Sequence, residues 1–311
     1  MPLFAPSHAF TLASDSLWLD WNFNPITLLG IALFTGAYFY ALGPLRRRYG
    51  WAERVNHRQV AVFVTGTVIF ALALISPLDA LSDRYLFSAH MVQHMLICVV
   101  APPLWLIGTP SWMLAPLFRN PTVARAARIL THPAVAFALF NGVLWLWHAP
   151  ALYDATLSNE YLHIFEHLTF VVTAVIFWWA VLSPISEVPR MGYGASILYL
   201  FVACQPMVAL GALVTFAASP LYHPYVVAPR LGGISALGDQ QAGGLIMWLP
   251  TNIPYLAVLS VMFFRWIGDQ DLKERRAAGE FDDEGPALHS SGAAAGEGIG
   301  VPGAAGAVKS D

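Results

Sequence analysis

Charged residues are what this sequence has least of. Asp, Glu, Lys and Arg make up 11% of its 311 residues, and hydrophobic residues make up 57%. Soluble domains carry about 25% charged residues, so the composition excludes an ordinary soluble domain and predicts an integral membrane protein. The formal net charge is −3 and the sequence has no basic stripe. A nucleic-acid-binding protein is therefore not expected.

Cysteine is equally scarce, since the chain has only Cys98 and Cys204, and both lie in hydrophobic runs. This excludes a disulfide framework and a Cys-x-x-Cys redox or metal motif. The first residues, MPLFAPSHAFTLASDSLWLDW, lack a basic region followed by an apolar run. We therefore expect no cleaved signal peptide.

Long apolar runs, in contrast, are abundant. A helix that crosses a bilayer needs about 20 predominantly apolar residues, and seven segments approach that length. We therefore predict an all-α, polytopic helical bundle with seven transmembrane helices, in a domain covering 25–267. An N-terminal segment (1–24) precedes it, and a Gly-, Ala- and charge-rich tail (268–311) is expected to be disordered. The predicted spans are 25–43, 58–76, 87–107, 133–149, 163–183, 195–217 and 241–264.

Prolines and basic residues add detail to this prediction. Most prolines fall at span edges, but some lie inside the third, sixth and seventh spans and should kink them, and the carbonyls that they free need internal partners. Fourteen of the 16 basic residues fall on one side of the predicted topology, with only Arg84 and Arg230 opposite. This asymmetry predicts an extracytoplasmic N-terminus and a cytoplasmic C-terminus. The internal prolines are Pro102, Pro103, Pro206, Pro250 and Pro254.

Two histidine pairs lie within the apolar spans. Residues four apart on a helix share a face and are about 6 Å apart along its axis. Polar side chains in membrane segments usually face the bundle interior and serve a function. We therefore predict a shared ligand site at the outer face, where the topology places His90, His94, His148, His163, His167 and His223.

Copper is one of several metals that suit such a site. Imidazole binds copper, zinc, iron and nickel, and neighbouring thioethers favour Cu(I). Glu166, next to His167, could be a ligand, a hydrogen-bond acceptor that orients an imidazole, or a counter-charge. Because neutral imidazole is the ligand form, binding should weaken below about pH 6.5. Thioethers near these helix ends come from Met91, Met95, Met207 and Met247.

Simpler interpretations exist for several of these residues. A single histidine at the membrane interface is most often a hydrogen-bonded helix end, as His148 or His223 could be. We interpret Asp79, Asp83 and Asp154 as helix caps or solvated loop charges. Two histidine pairs at one membrane depth are harder to explain this way, since unsatisfied polar groups are costly in hydrocarbon.

Several stretches resemble a known family. HMVQHMLICVVAPPLWLIGTP, WLWHAPALYDATL, HIFEHLTF and LGDQQAGGLIMWLP are similar to stretches of the seven-helix CtaG-type cytochrome c oxidase assembly proteins. The resemblance runs in order from about Asp79 to Phe264. It implies a multi-pass protein of the bacterial inner membrane that handles copper during haem–copper oxidase maturation. The residues it implicates are His90, Gln93, His94, His148, His163, Glu166, His167, Asp239 and Gln240.

That resemblance implies a non-enzymatic assembly factor, with oxidase subunits and periplasmic copper chaperones as partners beside the lipid bilayer. Other classes stay open on the residues alone. The histidine pairs suit a membrane di-iron enzyme, and HIFEH matches the zinc-protease string H-x-x-E-H. Kinked helices and the pair Gly243-Gly244 suit a copper transporter. Ligation of a b-type haem by two histidines, and a scaffold that only contacts the oxidase, are two further possibilities.

Overall fold

A computed structural model describes residues 19–277, and every regular element within that range is helical. Six helices are long and apolar enough to cross a membrane, and there are seven spans if the bent pair α6 and α7 counts as one. This confirms a multi-pass helical protein. The helices are α1 (Pro25–Tyr49), α2 (His57–Ile75), α3 (Pro77–Arg84), α4 (Phe87–Gly108), α5 (Ser111–Phe118), α6 (Pro121–Leu130), α7 (Pro133–Trp147), α8 (Pro150–Ser158), α9 (Glu160–Leu182), α10 (Tyr193–Thr215), α11 (His223–Val227), α12 (Ala236–Trp248) and α13 (Asn252–Ala277).

The fourth predicted span differs most from expectation. Helix α7 has 15 residues, about 22 Å at 1.5 Å per residue, which is short of a hydrocarbon core of about 30 Å. The preceding helix α6 meets it at an angle of 64°. Hydropathy along the sequence indicates α7 as a span but not α6, because α6 carries Arg125 and Arg128.

Many helices begin at a recognisable sequence signal. A side-chain oxygen of Asn24, Asn56, Ser76 or Asn120 accepts hydrogen bonds from backbone N–H groups of the following first turn. Three of these caps are followed directly by proline, whose fixed φ suits the first helical position and whose missing N–H costs nothing there. At Asn24 and Asn56 the helix starts agree with the predicted span boundaries, whereas Ser76 and Asn120 begin α3 and α6, where no span start was predicted.

Helix α4 lies at the centre of the bundle. In the most apolar stretch of α4, 67% of the residues are buried, compared with 6% in the corresponding stretch of α1. It packs against α2, α3, α9 and α12. A Cβ on Gly108 would lie 2.5 Å from the Phe63 backbone nitrogen, so only glycine allows α2 and α4 to approach this closely. The histidines of α4 are thereby held inside protein, away from lipid.

The prolines inside spans have the predicted effect at three places. A π-helical turn at Leu96–Val100 precedes Pro102, α10 is broken at Cys204 before Pro206, and α12 ends before Pro250. Pro102 frees the Cys98 carbonyl, which accepts a hydrogen bond of 3.3 Å from Trp178 Nε1.

The carbonyl that Pro250 frees also finds a partner. Ile246 O accepts both the backbone N–H and the hydroxyl of Thr251, the latter at 2.8 Å. A kink is not formed at Pro254, because this residue lies in the first turn of α13, where proline is tolerated. That part of the kink prediction was wrong.

Two features were not predicted. The short helices α3, α8 and α11 lie in segments read from the sequence as loops. Helix α13 also continues to Ala277, past the predicted start of the disordered tail at residue 268. Residues 268–277 are rich in helix-forming charged side chains, and Arg275 pairs with Asp271 one turn away at 3.0 Å. The rest of the predicted tail, 278–311, and most of the predicted N-terminal segment, 1–18, lie outside the described residues.

Candidate metal centre

Five histidines from three helices meet at one place in the bundle. We call these residues the histidine cluster: His90 and His94 on α4, His163 and His167 on α9, and His148 directly after α7. The His90 and His94 Nε2 atoms are 2.8 Å apart. Ring centroids of His94 and His167 are 5.4 Å apart, and those of His90 and His163 are also 5.4 Å apart. The structure therefore brings together the two pairs that the sequence singled out.

Ring nitrogens of His90, His94 and His167 all lie within 4.8 Å of one another. A second group of three, formed by Asp83, His90 and His163, meets the same limit. Two nitrogens bound to one ion at about 2.0 Å lie roughly 2.8–3.3 Å apart for coordination angles of 90–109°. The separation of the His90 and His94 nitrogens suits such a pair of ligands.

Hydrogen bonds fix the tautomers of two cluster histidines. His148 Nδ1 lies 2.7 Å from the Leu144 carbonyl, which can only accept, so Nδ1 carries the proton. The Tyr225 hydroxyl donates to the Ser82 carbonyl at 2.7 Å and lies 3.1 Å from His90 Nδ1. Because the Tyr225 hydroxyl proton is used in the bond to Ser82, the Tyr225 oxygen can only accept from His90, and His90 Nδ1 therefore carries the proton. In both rings Nε2 keeps its lone pair, which is the form that binds a metal.

Several buried atoms of the site have no hydrogen-bond partner among residues 19–277. They are His94 Nδ1, His148 Nε2, His163 Nε2, His167 Nε2 and both carboxylate oxygens of Glu166. Glu166 is fully buried, and its Oε1 lies 4.0 Å from His94 Nε2. Unpaired buried acceptors and an unpaired carboxylate are costly. A cation bound beside the Glu166 carboxylate would offset its charge and bind unpaired imidazole nitrogens of the same cluster, so the donor set fits a metal ion.

Comparison with known proteins shows the family of the chain. A family model for the cytochrome c oxidase caa3 assembly factor (Caa3_CtaG) matches residues 36–269, which include the whole histidine cluster. The chain belongs to this family. No solved structure matches the chain.

The curated relatives of this Caa3_CtaG family member have no described function. The chain is 26% identical over 271 residues to an uncharacterized protein of Mycobacterium leprae, and 27% identical over 282 residues to uncharacterized proteins of Mycobacterium bovis and Mycobacterium tuberculosis. These alignments cover 79% to 84% of this chain and 39% to 41% of the mycobacterial proteins. The chain thus spans about two fifths of the length of these relatives.

In this family member, three of the polar residues that the resemblance implicates form hydrogen bonds between helices. Gln93 Nε2 donates to Ala73 O and to Asp79 Oδ1, and Gln93 Oε1 accepts from Ser82 Oγ at 3.0 Å. Gln240 Nε2 donates to Val214 O in the last turn of α10, and Gln240 Oε1 accepts from Leu221 N in the segment before α11. Asp239 accepts the Phe87 and Ser88 N–H groups at 2.7 and 3.2 Å, and so caps α4 from another helix.

The helix cap that the Asp239 carboxylate forms on α4 should be important for the stability of the protein. An Asp239→Ala variant leaves two backbone N–H groups of α4 and the Ser88 hydroxyl without their acceptor, at a cost of roughly 1–3 kcal/mol. We expect a lower thermal midpoint of the detergent-solubilised protein. The exposed Asp269 provides the control, and equal midpoints for Asp239→Ala and Asp269→Ala would show that the cap contributes nothing.

The interpretation of Asp79 and Asp83 as caps or solvated loop charges was wrong. Asp79 is 6% exposed and accepts hydrogen bonds from Asn22 and Gln93. Burial, followed by the neighbouring Asp83 carboxylate, raises the pKa of Asp79 to about 6. Asp83 Oδ2 lies 3.5 Å from His163 Nδ1. Nothing local in the sequence indicated these contacts, because α3 folds back over the start of α4.

Three short helices, α3, α8 and α11, cover the histidine cluster. Tyr153 of α8 and Tyr225 of α11 have hydroxyls 3.1 Å apart, and Tyr225 also bonds to α3 through Ser82. The Tyr222 hydroxyl donates to the His148 carbonyl. His223 begins α11 and is exposed. Of the six histidines predicted to lie together at the outer face, His223 is thus the one that the structure leaves outside the cluster.

Two cavities reach the site. One has a volume of about 740 Å³ and is lined by His163, His167 and Asp83 as well as by residues of α1 and α2. The other is small, about 20 Å³, and lies beside His94, Met91 and Met95. The larger cavity gives the cluster a path to the surroundings. The smaller one places all four predicted thioethers next to a cluster histidine.

Proposed function

We propose that this protein is a cytochrome c oxidase assembly factor that carries copper as its cargo in the histidine cluster and performs no turnover chemistry of its own. It lies in the bacterial inner membrane with its N-terminus outside and its C-terminus in the cytoplasm. It passes copper to oxidase subunits during maturation and receives it from periplasmic copper chaperones. The family membership supports the assembly role, and the cluster supports the cargo.

One observation carries the proposal. Ring nitrogens of His90, His94 and His167 lie within 4.8 Å of one another, beside the unpaired carboxylate of Glu166. Among first-row divalent ions, copper binds nitrogen ligands most strongly, and imidazoles with nearby thioethers also suit Cu(I). Such a site holds copper less tightly than a closed thiolate cage, so it can release the ion to an acceptor.

The distribution of basic residues supports the orientation. The arginines after α1, α4 and α9 lie at the end of the bundle opposite the starts of α4 and α9, which bear the histidine pairs. Loops rich in arginine stay in the cytoplasm. The cluster then faces the periplasm, the side from which the larger cavity gives access to His163 and His167.

A metalloenzyme is the second candidate, favoured by one feature of the site. Asp83 and Glu166 add two carboxylates to the five histidines, a donor set that also suits a di-iron or zinc enzyme. Iron or zinc in the purified protein, with no copper, would favour this candidate. Copper uptake into sealed vesicles would favour a transporter.

The proposed function can be tested in cells that lack the protein. Haem–copper oxidase should be present in their membranes but deficient in copper and in activity, and added copper should restore part of the activity. Full oxidase activity in these cells would contradict an assembly role. Loss of the oxidase subunit itself, with no effect of copper, would instead indicate a scaffold that does not deliver metal.

A further inference from the structure

The small cavity beside the histidine cluster is lined by an unusual set of residues. Sulfur-bearing residues of three different helices line it, and its remaining walls are mainly apolar. Its volume is about 20 Å³, enough for one water-sized occupant. We call it the sulfur cavity, after its five sulfur-bearing residues Met91, Met95, Cys98, Met207 and Met247.

Close helix packing brings these sulfur atoms together. A Cβ on Gly211 would lie 2.9 Å from Gly244 O and 3.2 Å from Met247 Cβ, and one on Gly243 would meet the Phe87 ring and, at 3.3 Å, Met91 Cγ. The glycines therefore allow α10 and α12 to approach each other and α4. As a result, methionines from all three helices line one small space.

Two imidazoles complete the lining, and both have an unused nitrogen. His94 and His148 are 7% and 4% exposed and both line the sulfur cavity. His94 Nδ1 and His148 Nε2 have no hydrogen-bond partner among the described residues. A buried polar nitrogen without a partner is costly, whereas a bound ion would satisfy it. These nitrogens are the independent indication that the cavity takes a ligand.

The chemistry of the lining selects the ion. Thioethers are soft, neutral donors that prefer Cu(I), while hard divalent ions prefer oxygen. A small cavity with mainly apolar walls and neutral donors also disfavours an ion that keeps bound water. We propose that the sulfur cavity is a second copper position, specific for Cu(I), which adjoins the histidine cluster and shares His94 and His148 with it.

His94 links the two positions. Its Nε2 lies 2.8 Å from His90 Nε2 in the cluster, and its ring also lines the sulfur cavity. The π-helical turn at Leu96–Val100, directly after Met95, adds Cys98 to the same lining. Single π-helical turns occur often at functional sites. Copper thus moves between a nitrogen-rich and a sulfur-rich position without leaving the protein. This inference rests on the proposed copper cargo.

The test is X-ray absorption and metal analysis of the purified full chain loaded with Cu(I). We expect two equivalents of copper and mixed nitrogen and sulfur ligation in the wild type. In a Met207→Leu/Met247→Leu variant, which nearly conserves side-chain volume, copper should fall to one equivalent, with sulfur scattering reduced or lost. A His163→Ala/His167→Ala variant should keep copper–sulfur scattering.

The controls separate this inference from the proposed function. Met113→Leu, at a methionine outside the cavity, should bind like the wild type, and circular dichroism and thermal midpoints show that each variant is folded. If the Met207→Leu/Met247→Leu protein is unstable, the single variant Met95→Leu, at a half-buried residue, takes its place. Nitrogen-only ligation in the wild type overturns the sulfur position and leaves the cluster intact, whereas a wild type without copper overturns both.

Discussion

Replacement of His94 by Ala should reduce haem–copper oxidase activity to that of cells lacking the protein, while the variant stays in the membrane. His94 provides the Nε2 atom that lies 2.8 Å from His90 Nε2 and 4.0 Å from Glu166 Oε1. Its loss removes one of the three nitrogens of the close group and a residue that also lines the sulfur cavity. The same result is expected for His167→Ala, the third member of the close group. Oxidase activity is measured in isolated membranes, with immunodetection of the variant.

The matched control for these variants is His223→Ala. This histidine lies at the same end of the bundle at the start of α11, but it is exposed and outside the cluster. Its removal should leave oxidase activity unchanged. Normal oxidase activity in both His94→Ala and His167→Ala membranes would show that the cluster has no part in assembly.

Gly244→Ala should strongly destabilise the fold. A Cβ at this position would lie 2.8 Å from both Gly211 O and Thr215 N, and backbone atoms of two packed helices cannot yield as a flexible side chain can. Overpacking of this kind costs about 1–3 kcal/mol, which corresponds to a fall in the thermal midpoint of roughly 2–10 °C. The separation of α10 from α12 would also widen the sulfur cavity.

The control for this variant is Gly142→Ala in α7, where a Cβ would have no neighbour within 4 Å. Alanine is the better helix former, so this variant should be at least as stable as the wild type. Thermal midpoints in detergent measure both effects. A Gly244→Ala protein as stable as Gly142→Ala would mean that α10 and α12 do not pack as described.

Much of the fold follows from properties that act locally along the chain. Apolar length predicts the spans, and proline preceded by asparagine or serine marks helix starts such as Asn24-Pro25 and Ser76-Pro77. The spacing of the histidine pairs predicts two imidazoles on each of two helix faces. Whether the two helix faces meet depends on how the helices pack. The sequence indicates this only indirectly, because polar residues in membrane helices usually face the bundle interior.

The parts that were missed depend on contacts between distant segments. The carboxylate of Asp239 caps a helix more than 150 positions earlier in the chain, and Tyr225 fixes the tautomer of His90 from a short helix that no hydropathy pattern indicates. Asp83 resembled a solvated loop charge because its neighbour His163 follows 80 residues later. The sequence analysis named the four methionines of the sulfur cavity as candidate ligands, but it did not predict that three helices bring them to one cavity.

The central claim is that the histidine cluster binds copper, and elemental analysis tests it most directly. The full-length protein, purified and loaded with Cu(I), is compared with a His90→Ala/His94→Ala variant of equal thermal midpoint. We expect at least one equivalent of copper in the wild type and a large loss in the variant, with little iron or zinc in either. Equal copper in both proteins, or none in the wild type, would contradict the claim.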